Sequence, residues 1–368
     1  MRSESALIEI VPEFNFDGEY LRAELFKFGH IHDTYFVFFR KPDALEHRYI
    51  MQGINHYVFQ NPEELMENIT GVTNHLQRKI IASGGDPKRE GLRLVPTSDG
   101  KLFLKAGSGE YWRAYNFIEG ARTFMLPPSL GHVYSAARAY GTFQRNLSDF
   151  PVGRLHETIP DFHHTAKRFE TFVQVVEKDE HNRARDVKDE INFVLHRAGE
   201  MSILVDLVET GDLPLRVTHN DTKFNNVMID DQTGEGVCVI DLDTVMPGSS
   251  LYDFGDAIRS ITNTGEEDQP DLSKVQFSLE AFEAYTRGYL ETSNNGLTQT
   301  EIEYLPFSAR LMTLECGMRF LTDHLDGDVY FKTHRTDHNL DRCRTQFKLV
   351  ADMEGEEKNM GGIVKTYS

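Results

Sequence analysis

One stretch of this sequence places side chains in an order that suits a single kind of chemistry. It reads Val217-Thr218-His219-Asn220-Asp221-Thr222-Lys223-Phe224-Asn225-Asn226-Val227. Asn226 follows Asp221 by five residues. Asp241 follows Asn226 by 15, at the end of the apolar run Val237-Cys238-Val239-Ile240. Moving a phosphoryl group onto a hydroxyl needs a carboxylate to take the hydroxyl proton. It also needs an amide oxygen and a second carboxylate to hold Mg²⁺ on the nucleotide phosphates. His-x-Asp followed by Asn supplies the first two from one loop, and Asp241 supplies the third from the end of a hairpin. A lone His-x-Asp arises by chance in many chains. The full spacing is more specific, and its competitor is a polar surface turn between a helix and a strand.

The elements that must position this loop fall into two groups. Residues 21–28, 35–39 (YFVFF) and 49–51 read as strands from their apolar and aromatic runs. Residues 62–77 read as a helix, because Leu65, Met66, Ile69, Val72 and Leu76 recur at helical spacing behind the start signal Asn61-Pro62. Segments 92–97 and 102–105 flank Ser98-Asp99-Gly100, a hairpin signal. Gly107-Ser108-Gly109 reads as a turn leading into a strand at 111–118, with Trp112 as a core aromatic. Glu119-Gly120 marks the expected boundary between a domain of residues 1–118 and one of 119–368. Beyond it, helices are expected at 130–147, 165–180, 186–210, 277–290, 299–325 and 338–354. Short strands at 227–229 and 237–240 interrupt them, joined by the turn 230–236. Residues 354–362 (EGEEKNMGG) are expected to fray. The fold class is α+β, a small β-rich N-terminal lobe and a larger, mainly helical C-terminal lobe.

Composition excludes several classes of function. The chain has 368 residues, with 58 acidic against 39 basic side chains and a net charge of −19. A dedicated nucleic-acid binder needs a basic face, so no nucleic-acid partner is expected. A nucleotide ligand is still compatible, since Mg²⁺ and local donors hold phosphates inside acidic proteins. Cys238, Cys316 and Cys343 are too few and scattered for a disulfide framework, and a free-thiol cytoplasmic protein is expected. No run of 18 apolar residues and no secretory signal are present, so no membrane partner is expected. The absence of G-x-x-x-x-G-K-[ST] and G-x-G-x-x-G disfavours P-loop and Rossmann readings.

Residues 217–227, the stretch 240–248 (IDLDTVMPG) and the stretch 252–259 (YDFGDAIR) together resemble the aminoglycoside phosphotransferase and choline kinase superfamily. Within it, 244–248, 314–321 (LECGMRFL) and 326–331 (DGDVYF) resemble the N-acetylhexosamine 1-kinase group, as does 28–35 (FGHIHDTY) in its nucleotide-covering loop. The resemblance implies a two-lobed protein-kinase-like fold, ATP with Mg²⁺, and a small-molecule sugar substrate. The implied reaction is phosphorylation of the anomeric hydroxyl of GlcNAc or GalNAc. It places the catalytic base at Asp221 and metal ligands at Asn226 and Asp241, with Asp243 adding to the metal shell or orienting Asp241. Nucleotide contacts fall at Gly29, His30, Tyr115 and Phe117, and sugar contacts at Arg319, Tyr330 and Thr244. The sequence departs from expectation in two places: Gln52 stands where a strand lysine meets the phosphates in typical kinases, leaving Mg²⁺, backbone N–H groups of the 28–34 loop and His30 or Arg113 to meet their charge, and His32-Asp33 replaces the smaller polar pair expected of the family in that loop. The alternatives are a kinase of another hydroxyl acceptor (another sugar, choline, an aminoglycoside) and a non-catalytic kinase-like binding protein.

Other polar groups have plainer readings beside functional ones. Glu315, Arg319 and Asp323, spaced four apart, form an exposed ion ladder unless Arg319 is turned to a substrate. His156, Asp161, His163 and His164 lack the spaced pairs of a zinc site and read as a polar loop lining the active cleft. Asp253, Asp256 and Arg259 read as caps of the helix they open and as braces for the catalytic loop.

Overall fold

A computed structural model describes residues 4–26, 31–41, 46–293 and 296–368. The N-terminal part carries a short helix α1 (Glu4–Ile10) and strands β1 (Glu19–Leu25), β2 (Asp33–Arg40), β3 (Glu46–Gly53), β4 (Leu104–Lys105) and β5 (Tyr111–Asn116). These strands form one antiparallel sheet in the order β1-β2-β3-β5-β4. Alternation along each strand gives the sheet two different faces. Tyr35, Val37, Phe39, Tyr49, Met51, Trp112 and Ala114 pack with Leu7, Ile10, Val11 and Phe14 into a core of their own. Gln52 and Arg113, paired across β3 and β5, belong to the opposite face, which therefore looks towards the chemistry.

Helix α2 (Pro62–Ala82) starts as expected, with Asn61 accepting from the Glu64 N–H at 3.4 Å and proline in the first turn. Its apolar stripe enters the larger, helical core. That core is built mainly from α3 (Leu130–Leu147), α4 (Thr165–Lys178), α5 (Lys188–Leu195), α6 (Ile203–Glu209), α7 (Ser250–Ile261), α8 (Leu279–Ser293), α9 (Gln299–Leu325) and α10 (His338–Tyr367). Helix α3 packs on α8, while α7 and α10 pack on α9. Five short strands thread this part: β6 (Ala121–Arg122), β7 (Arg216–Thr218), β8 (Val227–Asp230), β9 (Gly236–Val239) and β10 (Met246–Gly248). Strands β8 and β9 form the expected hairpin, and β7 pairs with β10. A capping box opens α9: Thr298 accepts from the Glu301 N–H at 3.1 Å while Glu301 accepts from the Thr298 N–H at 2.6 Å. No helix among the described residues is long and apolar enough to cross a membrane.

Four expectations need correction. Segments 92–97 and 102–105 do not pair with each other. A tight turn closes from the Thr97 N–H to the Lys101 O at 2.7 Å, but β4 and the stretch around Leu94 both lie on the free edge of β5. The single helix expected over 186–210 is broken into α5, a 3₁₀ turn over Ala198–Glu200 and α6; Gly199 and the absence of a side-chain cap leave the middle without helical support. The C-terminal residues do not fray, because Met353, Met360 and Val364 bury their side chains in the main core and carry α10 to Tyr367. Asp253 does not cap α7. Ser249 does, accepting from the Leu251 N–H at 3.3 Å, and Asp253, Asp256 and Arg259 lie inside the helix.

Candidate active site

The loop after β7 is held by its neighbours before any ligand is considered. Asp253 of α7 accepts the His219 N–H at 2.9 Å and the Asn220 N–H at 2.7 Å, and its Oδ2 also accepts from Gln144 at 2.7 Å. The bracing role expected for Asp253 is therefore what the structure has. Asn220 takes a left-handed conformation, φ 63°, a cost that asparagine bears better than most residues. Its amide donates to Thr244 O at 2.8 Å, and the Thr244 hydroxyl donates to His219 O at 2.6 Å. The hydroxyl of Thr244, a candidate sugar contact, is thus committed to the loop backbone. Gly248 lets β10 lie close against β7, since a Cβ there would stand 2.5 Å from Thr218 Oγ1. Deeper still, buried Glu301 accepts from Arg216 Nε at 2.6 Å and from the Ser250 hydroxyl at 2.6 Å, tying β7, α7 and α9 together.

Asp221 is half-buried, with Lys223 Nζ 2.8 Å from its Oδ1 and Asn226 Nδ2 donating to its Oδ2 at 3.2 Å. Burial alone would raise the Asp221 carboxyl, but the Lys223 ammonium outweighs it and holds the carboxyl below its ordinary range. Asp221 is thereby kept ionised. Asn226 spends its amide N–H groups on Asp221, which leaves its carbonyl oxygen for another partner. Asp241 is exposed and also left-handed, φ 61°. The protein around it, then the charges of Asp243 and Asp221, push its carboxyl well above the usual range. Crowded carboxylates with a free amide oxygen beside them are the donor set that a hard divalent cation such as Mg²⁺ relieves. No ready cage of three His, Cys, Asp or Glu side chains exists among the described residues, so nucleotide phosphates or water would have to complete the shell.

Asp243, the third candidate ligand, is engaged elsewhere. Both its oxygens face the guanidinium of Arg113, Oδ2 at 2.7 Å from Nη2, and Oδ2 is also 3.1 Å from His32 Nε2. The pair is buried on both sides, and Arg113 and His32 hold Asp243 well below the carboxylate range although burial pushes the other way. Arg113 Nε donates to Gln52 Oε1 at 2.9 Å. The cation missing from Gln52 thus reappears on the facing strand, bound to Asp243. Tyr115 is buried under Arg113, and the Phe117 ring lies beneath Arg48, whose guanidinium carbon is 4.0 Å from the ring centre. Gly29 and His30 lie outside the described residues.

The candidate acceptor side lies along α9. The expected ion ladder does not form. Glu315, 1% exposed, pairs with His163 Nδ1 at 2.8 Å and accepts the Thr165 hydroxyl. Asp323 accepts the N–H groups of Val329, Tyr330 and Phe331 at 2.9, 2.7 and 2.9 Å, stapling that loop to the helix. Arg319 is left without a hydrogen bond or ion pair among the described residues. Its guanidinium carbon lies 5.2 Å from the ring centre of Phe162, 5.7 Å from Phe331 and 6.0 Å from Tyr330. Tyr330 is 62% exposed at the rim. Near Lys223, Arg259 pairs with Asp256 at 2.9 Å and Glu267 at 3.0 Å, while buried Asp256 Oδ2 has no partner among the described residues.

Sequence reasoning passed over Lys223, although its position two residues after Asp221 was legible. It had no signal for the joining of His163 to Glu315 or of Arg113 to Asp243.

Comparison with known proteins adds a family and a fold. The sequence profile of a family described as the phosphotransferase enzyme family matches residues 89–290. Among solved structures the chain is similar to a microcompartment-associated aminopropanol kinase, at 16% identity over 98% of this chain and 99% of that one, with a TM-score of 0.60. It is similar to an aminoglycoside phosphotransferase from Alicyclobacillus acidocaldarius, at 13% identity over 97% and 95%, with a TM-score of 0.62. It is also similar to an amicoumacin kinase in complex with AMP-PNP and Ca²⁺, at 14% identity over 95% and 94%, with a TM-score of 0.59. At these identities the likeness shows the fold: the α+β, kinase-like architecture expected from sequence.

Proposed function

Because the chain belongs to the phosphotransferase enzyme family, we propose that it is an ATP-dependent kinase of a small neutral acceptor. Within that reading, the acceptor is an N-acetylhexosamine, GlcNAc or GalNAc, phosphorylated on its anomeric hydroxyl to the 1-phosphate. The observation that carries the acceptor class is the surroundings of Arg319. A quaternary amine such as choline is recognised by aromatic rings stacked about its charge. Here the rings of Phe162, Tyr330 and Phe331 already surround the guanidinium of Arg319. The nearby acids also have matched bases: Asp221 with Lys223, Asp256 with Arg259, Glu315 with His163. Arg319 offers donors only, which suits sugar hydroxyls and an acetamido carbonyl. The narrower choice of hexosamine is supported by the resemblance of 314–321 and 326–331.

In this mechanism Asp221, kept ionised by Lys223, hydrogen-bonds the acceptor hydroxyl and takes its proton as the oxygen attacks the γ-phosphorus of ATP; ADP leaves. Asn226 and Asp241 would hold Mg²⁺, which neutralises charge on the transferring phosphoryl group. Arg113 and His32 fix Asp243 and with it the turn carrying Asp241. The adenine rests against the strand end at Tyr115 and Phe117; the phosphate contacts expected at Gly29 and His30 fall outside the described residues. Residues 1–118 form the nucleotide-binding domain and 119–368 carry the catalytic loop and acceptor site. Tyr330 closes the rim over the sugar. Thr244 acts from behind, through the loop backbone.

A second reading, an amine-bearing hydroxyl acceptor, is supported by the unpartnered Oδ2 of Asp256, which an ammonium would satisfy. A non-catalytic role is opposed by the intact set Asp221, Asn226 and Asp241. ATP consumption with Mg²⁺ against a panel of sugars, amino alcohols, choline and aminoglycosides tests the choice. Turnover is expected with N-acetylhexosamines. An amine preferred over every hexosamine would overturn the acceptor assignment.

A further inference from the structure

Buried histidines declare their protonation through their neighbours. His32 Nδ1 accepts the Asn55 N–H at 3.0 Å, and His219 Nδ1 accepts the Asp221 N–H at 3.2 Å. Each ring therefore keeps its proton on Nε2, where it donates to Asp243 and to Ile240 O respectively. His163 differs. Its Nε2 lies 3.1 Å from the carbonyl oxygen of Asn220, and its Nδ1 lies 2.8 Å from Glu315 Oε1. A carbonyl oxygen only accepts, so Nε2 carries hydrogen. Nδ1 then either donates to a carboxylate, making the ring an imidazolium, or accepts from a protonated Glu315.

The surroundings favour the ion pair. Around the two side chains stand the Thr165 hydroxyl and Arg168 from α4, Arg319 from α9, the Tyr252 ring from α7 at 5.5 Å, and Phe162. Both charged groups are buried, at 6% and 1% side-chain exposure. Both oxygens of Glu315 are engaged as acceptors, Oε1 facing His163 Nδ1 and Oε2 taking the Thr165 hydroxyl, which is the bonding of a carboxylate; burial opposes its charge, while the His163 ring, Arg319 and the Thr165 hydroxyl hold its carboxyl below the ordinary range.

We propose that His163 is a positioning residue: as an imidazolium paired with Glu315, it clamps the backbone carbonyl of Asn220 to α9 and so fixes the orientation of the adjacent Asp221. The clamp acts where the backbone needs it, at the left-handed Asn220. Through His163, 152 residues from Glu315 in sequence, it links the helix that carries Arg319 to the loop that carries Asp221. The inference rests on Asp221 as the base of the proposed kinase. Deprotonation of His163 leaves two facing acceptors at one ring nitrogen. The expected consequence is a loss of kcat of roughly 10- to 150-fold, the scale of a charge-assisted hydrogen bond, with the KM for ATP unchanged.

Long-range proton–nitrogen NMR of the full-length protein labelled with ¹⁵N-histidine tests the protonation itself. The His163 signals are identified by their disappearance in His163→Gln. Both ring nitrogens are expected to carry protons at pH 7; an unprotonated nitrogen there overturns the proposal. The split of kcat from KM tests the role. In His163→Gln kcat is expected to fall by the same roughly 10- to 150-fold while the KM for ATP stays unchanged. A kcat equal to that of the wild type, or a loss seen only in KM, contradicts the proposal. The NMR result judges His163 alone, whereas the rate of Asp221→Asn judges the base assignment, so the two failures are separable.

Discussion

From His219 to Asn226 almost every polar group is already engaged by a partner, whereas around Arg319 the donors stand open and an exposed tyrosine forms the rim. Asp253, Thr244, Gln144 and Tyr140 hold the loop through its backbone or through one another, and Asp221 is ionised by its own neighbour Lys223. The α9 face has instead one guanidinium among three rings. The contrast teaches where each kind of information resides. Transition-state chemistry demands preorganised groups at fixed separations, so the reaction class is written in a short, rigid loop. Acceptor recognition needs free donors on a shaped surface, and the surface proposed for it around Arg319 is assembled from distant segments.

The largest effect should come from Asp221→Asn. It preserves shape and is expected to lower kcat by at least about 10²-fold, the scale of a positioned general base. A variant retaining more than a tenth of the rate would remove Asp221 from the mechanism. Next is the buried pair behind the metal turn. Asp243→Asn strands the Arg113 cation and should cost about 3–5 kcal/mol of unfolding free energy by denaturant titration. Arg113→Met combined with Asp243→Leu should recover most of that stability, though not activity. An unchanged unfolding midpoint in Asp243→Asn would break the picture of a pre-locked catalytic side.

On the open side the expectations shift from stability to binding. Arg319→Ala should raise the acceptor KM by roughly 10- to 150-fold and leave the ATP KM alone. Its stability should change by no more than about 2 kcal/mol, the scale of a cation–π contact. A large loss of stability would mean that Arg319 belongs to the core. The smallest effect is assigned to Tyr330→Phe, because its ring is 62% exposed. Its hydroxyl is expected to contribute no more than one ordinary hydrogen bond, about 0.5–1.5 kcal/mol, to sugar binding. A change in acceptor KM larger than that of Arg319→Ala would reverse the assigned order.

Much of the helical scaffold was legible because local signals and burial agree. The ranges 130–147 and 299–325 carry a clear apolar period or a capping pair and match α3 and α9. The C-terminal run 354–362 reads as polar and glycine-bearing, and only the docking of Met360 and Val364 into the main core makes it helical. The spacing of Asp221, Asn226 and Asp241, on which the proposed catalytic roles rest, was legible because it is local. Arg113 with Asp243, 130 residues apart, and His163 with Glu315, 152 apart, were not. Each half of such a pair looks like an ordinary surface charge until the fold brings them together. Thr244 shows the converse: its neighbourhood was readable, but the direction of its hydroxyl depends on the backbone of His219.

The central claim is that a kinase site with a neutral-sugar acceptor face forms the anomeric phosphate. Phosphorus NMR of the product made from ATP and an N-acetylhexosamine tests it most directly. The account predicts a signal coupled to the anomeric proton, from a product labile to mild acid. A 6-phosphate, or a phosphorylated amine formed in preference to any sugar product, would contradict it.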